Sequence, residues 1–159
     1  MRTAEIDRDA TAERFVLDFI EGWRTPADAD AFADFFEPLC TDDVRMIQPQ
    51  LPVLVGKAAF RERFARPTFE LIPDLHAVVH DWSAATGGEV VFISFTLEGT
   101  LGGRPVSWPC VDRIVLRDGL IAERRAYFDP TPLLRAVVTR PRAWPKFLRL
   151  QVTRMKGTS

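Results

Sequence analysis

A chain of 159 residues, 47% hydrophobic and 27% charged, has the make-up of one ordinary globular domain. It holds two cysteines, Cys40 and Cys110, which excludes a disulfide framework or a cysteine ligand cluster. No stretch reaches the roughly 18 apolar residues of a membrane span; Met1 to Asp9 lack a signal-peptide core, so the expected compartment is cytoplasmic with both thiols reduced.

Thr11 to Trp23 reads as an amphipathic helix, with Phe15, Val16, Phe19, Ile20 and Trp23 at helical spacing. Thr25-Pro26 ends it. A second helix is expected from Asp28, a good cap, burying Phe32, Phe35, Phe36 and Leu39. Val44 to Gln48 is a short strand stopped by Pro49. Lys57 to Ala65 is a third helix with Phe60 and Phe64 on one side, and Pro67 and Pro73 bracket a loop. The pattern then changes to strands over Leu75 to Ser83, Val90 to Gly99, Arg104 to Leu116 and Leu120 to Phe128. The breaks between them fall at Thr86-Gly87-Gly88, Gly102-Gly103 and Asp118-Gly119. Helices first and strands later indicate an α+β domain over residues 1–138, followed by a basic extension over 139–159.

The net charge of -1 hides an asymmetry. Residues 130–159 carry Arg135, Arg140, Arg142, Lys146, Arg149, Arg154 and Lys156 and no acid, so residues 1–129 are net acidic. Trp144, Phe147 and Leu148 sit within that run. Such a tail suits contact with nucleic acid or an acidic membrane. It suits better a partly helical segment packed on an acidic domain or a second subunit.

Asp112 is the most informative position. Val106, Trp108, Cys110, Asp112, Ile114 and Leu116 alternate onto one strand face, and Asp112 is the one charge among them. A buried carboxylate must be paired, protonated or used. A three-residue Arg117-Asp118-Gly119 loop would set Leu116 opposite Leu120 and Asp112 opposite Arg124, on the same inner face. Asp112 is then either an acid/base or substrate-anchoring group, or half of an ion pair that closes the sheet. The guanidinium lowers its pKa while burial raises it.

Other candidates carry two readings each. Gln48 offers an amide to a carbonyl or water, or caps backbone. His76, Val78, His80 and Trp82 alternate onto one face, so His80 is either a proton-transfer group near a pocket or an outer-face imidazole. Two histidines without a third ligand do not make a zinc site, and no metal or cofactor is expected. Trp108, Phe128, Phe92 and Trp23 fit either an aromatic pocket or plain core, with Phe92 assigned to core. Cys110 lacks a base partner for nucleophilic work.

The run Cys110-Val-Asp-Arg-Ile-Val-Leu-Arg-Asp-Gly-Leu-Ile-Ala-Glu-Arg-Arg-Ala-Tyr-Phe-Asp129 resembles the SnoaL-like branch of the nuclear-transport-factor-2-like superfamily. The helical start, Thr41-Asp42-Asp43 and Gly56 fit as well, over roughly residues 10–138. The resemblance implies a cone, a curved mixed or antiparallel sheet wrapped around N-terminal helices with an apolar pocket inside. In SnoaL-like polyketide cyclases the aspartate matching Asp112 is an acid/base in aldol closure. In ketosteroid isomerases it donates to an oxyanion, but their base falls at Gln48 and their tyrosine falls among Phe15, Phe19 and Trp23, while the sole tyrosine, Tyr127, lies elsewhere. Limonene-epoxide hydrolases place one aspartate at Ala126 and an Arg/Asp pair within Ile93 to Thr96. None of those positions is charged here, and their asparagine matches Gln48. The resemblance therefore implies an enzyme of proton-transfer chemistry on an apolar, polycyclic carbonyl compound. Asp112, Gln48, Arg124 and His80 would be its catalytic groups. Trp108, Cys110, Phe128, Ala126 and Trp23 would be its substrate wall. A homodimer formed through the outer sheet face, without nucleic acid or membrane-spanning partners, completes the expectation. The alternative is a binding or accessory domain with no turnover.

Overall fold

The computed structural model describes residues 2–85 and 87–156, with side chains placed from 10 to 85 and from 87 to 152. Thr86, of the expected Thr86-Gly87-Gly88 turn, lies outside the described residues. The elements in chain order are α1 (Arg2–Arg24), α2 (Ala29–Phe36), β1 (Cys40–Ile47), β2 (Leu54–Val55), α3 (Lys57–Ala59) and α4 (Arg66–Leu71). They continue with β3 (His76–Ala84), β4 (Val90–Leu101), β5 (Arg104–Arg117), β6 (Leu120–Tyr127), α5 (Thr131–Thr139) and α6 (Trp144–Lys156). A π-helical stretch, Phe60–Ala65, joins α3 to α4. The six strands form one mixed sheet in the order β2-β1-β6-β5-β4-β3, in which β1 and β6 run parallel and the other neighbours antiparallel.

Local chemistry explains the helical layer. The Asp28 carboxylate accepts the Ala31 N–H at 2.8 Å and starts α2. The inward side of α2 is Phe32, Ala33 and Phe36, whereas Phe35 is 37% exposed at its edge and Leu39, in the 3-10 turn Glu37–Leu39 beyond the helix, is half-buried. Trp23 of α1 packs edge-on to Phe32 at 4.6 Å, and Phe32 meets Phe69 of α4 at 5.0 Å. The segment after Pro67 is helix rather than loop: α4 continues the π-helical stretch Phe60–Ala65 without a break, with Pro67 at its second position. Along β4 the inward row is Val91, Ile93, Phe95, Leu97 and Leu101, all buried. Gly99 belongs to the same row, and a Cβ there would lie 2.4 Å from Ile72 Cγ2, so glycine admits Ile72 to the core.

Two bulges change the expected registers. The β5–β6 turn is two residues long, with Asp118 (φ 54) and Gly119 (φ 78) both left-handed, as a type I′ hairpin turn requires. Leu116 faces Ile121 but Val115 faces Glu123, so Ala122 is an extra residue on β6. Asp112 therefore faces Ala126, and Ile114 faces Arg124, a shift of two from the expected pairing. The bulge restores the alternation that a two-residue turn would have reversed, and Arg124 still points inward. On β3, Val79 faces Phe95 and Asp81 faces Ser94, leaving His80 as the bulged residue. Trp82 consequently faces Ile93 on the helix side, while His76 and Val78 face Glu98 and Thr96 on the outer side. The four residues do not share one face.

The C-terminal segment packs onto the open end of the layers. Arg140 donates to three carbonyls of the β4–β5 hairpin, those of Leu101, Arg104 and Pro105, at 2.9–3.0 Å. Arg149 of α6 reaches Glu70 of α4 at 2.8 Å, and Leu150 is buried.

Candidate active site

All six residues of the inward face of β5, from Val106 to Leu116, are buried, and Asp112 is fully so. Its carboxylate is met by a fork: Arg124 Nε donates to Oδ2 at 2.5 Å and Nη2 to Oδ1 at 3.0 Å. The Cys110 thiol donates to Oδ1 at 3.6 Å. The contact is diagonal across the hairpin, because the two residues are not direct partners in the ladder. Complete burial pushes the Asp112 carboxyl above its ordinary value, and the Arg124 charge and hydrogen bonds oppose that push. Burial also raises both thiols, Cys40 to about 11 and Cys110 further still, so neither is a nucleophile at neutral pH.

Arg124, 7% exposed, stands between Asp112 and a hollow of about 90 Å³. Its Nη1 donates to the Gln48 amide oxygen at 3.3 Å, and its Cζ lies 5.3 Å from the centre of the Phe64 ring. Met46 of β1 lies beside Arg124 in the parallel ladder, which places Gln48, just past the end of β1, at the guanidinium. The π-helical stretch presents Phe64 to it from the opposite layer. Because the Gln48 oxygen is engaged, its NH₂ is the free end of that amide. Trp23, Trp108 and Phe128 supply aromatic wall, and Leu133 and Leu150 close the hollow from α5 and α6. The Trp108 indole Nε1 is buried with no hydrogen-bond partner among the described residues.

The sequence candidates thus separate into groups. Gln48, Arg124, Trp108, Phe128 and Trp23 meet at the hollow. Asp112, Cys110 and Ala126 are buried behind its wall rather than on it: Asp112 is screened by Arg124, and the Cys110 thiol is turned to Asp112. His80, bulged on the outer side of the sheet, is exposed and bonded to Thr96 Oγ1 at 2.8 Å, away from the hollow. Phe92, assigned to core, is instead 38% exposed, since it pairs with Ser83 and Arg113 on the outer face. Sequence reasoning missed Leu133, Leu150, which lies in the segment read as an extension, and Gln50, whose left-handed backbone (φ 65) borders the hollow. The apolar positions among the tail's arginines were a signal for Leu150; Gln50 offered none. Among the described residues no cluster of His, Cys, Asp or Glu suits a metal ion.

The fold is found elsewhere. Residues 8–124 match the model of the SnoaL-like domain. The chain is 25% identical to a protein of Jannaschia sp. CCS1 designated a SnoaL-like polyketide cyclase, with a TM-score of 0.65 over 80% of this chain and 92% of that one. An LEH-like epoxide hydrolase of M. tuberculosis superposes with a TM-score of 0.64 at 18% identity, covering 85% of this chain and 95% of the other. A phenazine biosynthesis-related protein of Pseudomonas aeruginosa does so with 0.67 at 14% identity, covering 83% and 90%. No curated protein is similar to the chain. With the aspartate strand, the hairpin and the helix-filled curved sheet in place, the chain belongs to the SnoaL-like domain family within the nuclear-transport-factor-2-like fold.

Proposed function

We propose that the chain binds an apolar carbonyl compound in this hollow and promotes proton-transfer chemistry on it, of the kind that leads to aldol cyclisation, isomerisation or dehydration. The observation that carries this reading is the Arg124 guanidinium, the one charged group among the described residues lining a largely apolar hollow, held in place by Asp112 and Gln48. A fixed donor in a dry site stabilises charge developing on an enolate oxygen. Gln48 NH₂ adds a second donor. Asp112 is a positioning residue that acts through Arg124. A hollow of about 90 Å³ has room for about three waters, so a polycyclic ring system enters only when Leu133 and Leu150 give way. The exposed Val78, Phe92, Val111 and Tyr127 support a homodimer through the outer sheet face.

One observation favours a second reading, binding without turnover: among the described residues lining the hollow there is no carboxylate, imidazole or amine to serve as a base. The test is a panel of aromatic polyketides, steroids and terpenoids, with binding followed by tryptophan emission and conversion by chromatography. Conversion by the wild type that falls about 100-fold in Arg124→Lys, whose single ammonium cannot reproduce the fork, supports the enzyme. Binding without conversion supports the carrier. If no panel member binds, the small-molecule reading is wrong.

A further inference from the structure

Trp108 of β5 is 5% exposed and forms part of the wall of the hollow. Among the described residues its indole Nε1 is the only buried side-chain nitrogen or oxygen without a hydrogen-bond partner. A buried indole N–H ordinarily finds an acceptor. Trp144, though half exposed, gives its own N–H to the Val137 carbonyl at 2.9 Å. Ring packing makes no use of the Trp108 nitrogen, and an unmade bond in a buried place is costly. The other polar side chains at the hollow are donors or able to donate. Arg124 commits three of its five N–H groups, two to Asp112 and one to Gln48, and two remain. The Gln48 NH₂ adds to these, Thr68 and Gln50 can donate or accept, and no carboxylate lines the wall among the described residues.

We propose that the Trp108 N–H is a ligand-binding donor, and that the hollow selects compounds with two acceptor groups at opposite ends, one for Arg124 and Gln48 and the other for Trp108. The assignment rests on the reading of the hollow as a site for an apolar carbonyl compound, and it narrows that ligand class. Trp108 and Asp112 lie on one strand face, about 13 Å apart along β5. Side chains of one face stand roughly perpendicular to the sheet, and Arg124 is pinned at Asp112, so the two donor sets address different parts of a ligand. A compound with a single carbonyl satisfies the guanidinium and leaves the indole N–H unpaired. A second oxygen at the far end of the ring system completes both. A site built to bond a group rejects the analogue that lacks it, because the site's own polar atom is then stranded. The N–H is buried, so it meets that oxygen as the ligand opens the hollow.

The test uses the full chain, isotope-labelled at its indole nitrogens, and two rigid probes. One is androstane-3,17-dione, with a carbonyl at each end of the ring system; the other is androstan-3-one, which lacks the second. The dione is expected to bind about tenfold tighter, as one added hydrogen bond allows. It should also move the Trp108 N–H resonance downfield, which the monoketone does not. In Trp108→Phe the two ketones should bind alike. That variant identifies the resonance; if it does not fold, proximity to the Phe128 ring, whose centre is 6.5 Å from that of Trp108, identifies it in the wild type. Equal binding of both ketones by the wild type overturns the proposal and leaves the reading of the hollow intact. So does a Trp108 N–H unmoved by the bound dione, the result expected of a donor held over the Phe128 ring. Binding of neither ketone overturns it too, and the wider panel above then decides the reading of the hollow separately.

Discussion

Replacing Asp112 by asparagine tests the central contact with almost no change in volume. The asparagine keeps one oxygen for Arg124 but turns an NH₂ toward a second guanidinium N–H, donor against donor, and leaves a 7% exposed cation without a counter-charge. Breaking one side of a buried pair costs about 3–5 kcal/mol. In a domain of this size each kcal/mol moves the melting temperature about 2–4 °C, so a fall of about 6–20 °C is expected. Urea and thermal unfolding of the wild type, Asp112→Asn, Arg124→Gln and the double variant complete a cycle. Arg124→Gln strands the carboxylate in turn, and the double variant should be more stable than the two losses summed by about 2 kcal/mol or more. An Asp112→Asn variant within about 1 kcal/mol of wild type would refute the reasoning, since it would mean that no paired charge is buried there.

Other expectations follow from single contacts. Asp74 Oδ1 accepts the Thr100 N–H and Oδ2 the Thr100 hydroxyl, each at 2.7 Å. Partial burial raises its pKa, but those bonds outweigh that and hold it below the ordinary value. Its stabilising contribution is therefore present above the unfolded carboxyl's pKa and is lost as pH falls through the lower folded one. The stability gap between wild type and Asp74→Ala should be flat near neutrality and close in acid, as urea titrations between about pH 2 and 7 will show. Cys40 and Cys110 should resist a thiol reagent at pH about 8 in the native state and react on unfolding, because burial disfavours both thiolates; fast native labelling would contradict the packing. Gly22→Ala gains about 1 kcal/mol of helix propensity. Its Cβ would land 2.5 Å from the Phe36 ring and 2.6 Å from Phe35. Overpacking costs about 1–3 kcal/mol, so the variant should melt lower; a higher melting temperature would mean that the rings move aside freely.

The inward face of β5 was legible because alternation is local: each residue from Val106 to Leu116 lies where a period of two puts it. Asp28 as a cap and the place of the D-G turn were legible for the same reason, but its length was not: the expected three-residue loop is a two-residue turn. The bulges at Ala122 and His80 were not, since each depends on which strand lies alongside and in what register. Asp112 and Arg124 were correctly joined through an incorrect pairing, because a guanidinium reaches a diagonal neighbour as well as a direct one. Which of the two faces the hollow could not be read from alternation alone, as it is set by Gln48 and Phe64 gripping Arg124 from elements distant in sequence. Leu150 closes the hollow through long-range packing of a tail whose composition speaks first of charge.

The two borders of the sheet differ from its middle. On one side the outermost strand, β2, is only two residues long. On the other, β3 is broken by the irregularity at His80, next to the exposed charge of Asp81. Among the described residues neither border offers a long, flat run of unpaired amides against which another chain could lay a strand. A crowded solution of this protein therefore has no ready route to fibrils by lateral strand addition, even though the inner strands are rich in valine, isoleucine and phenylalanine.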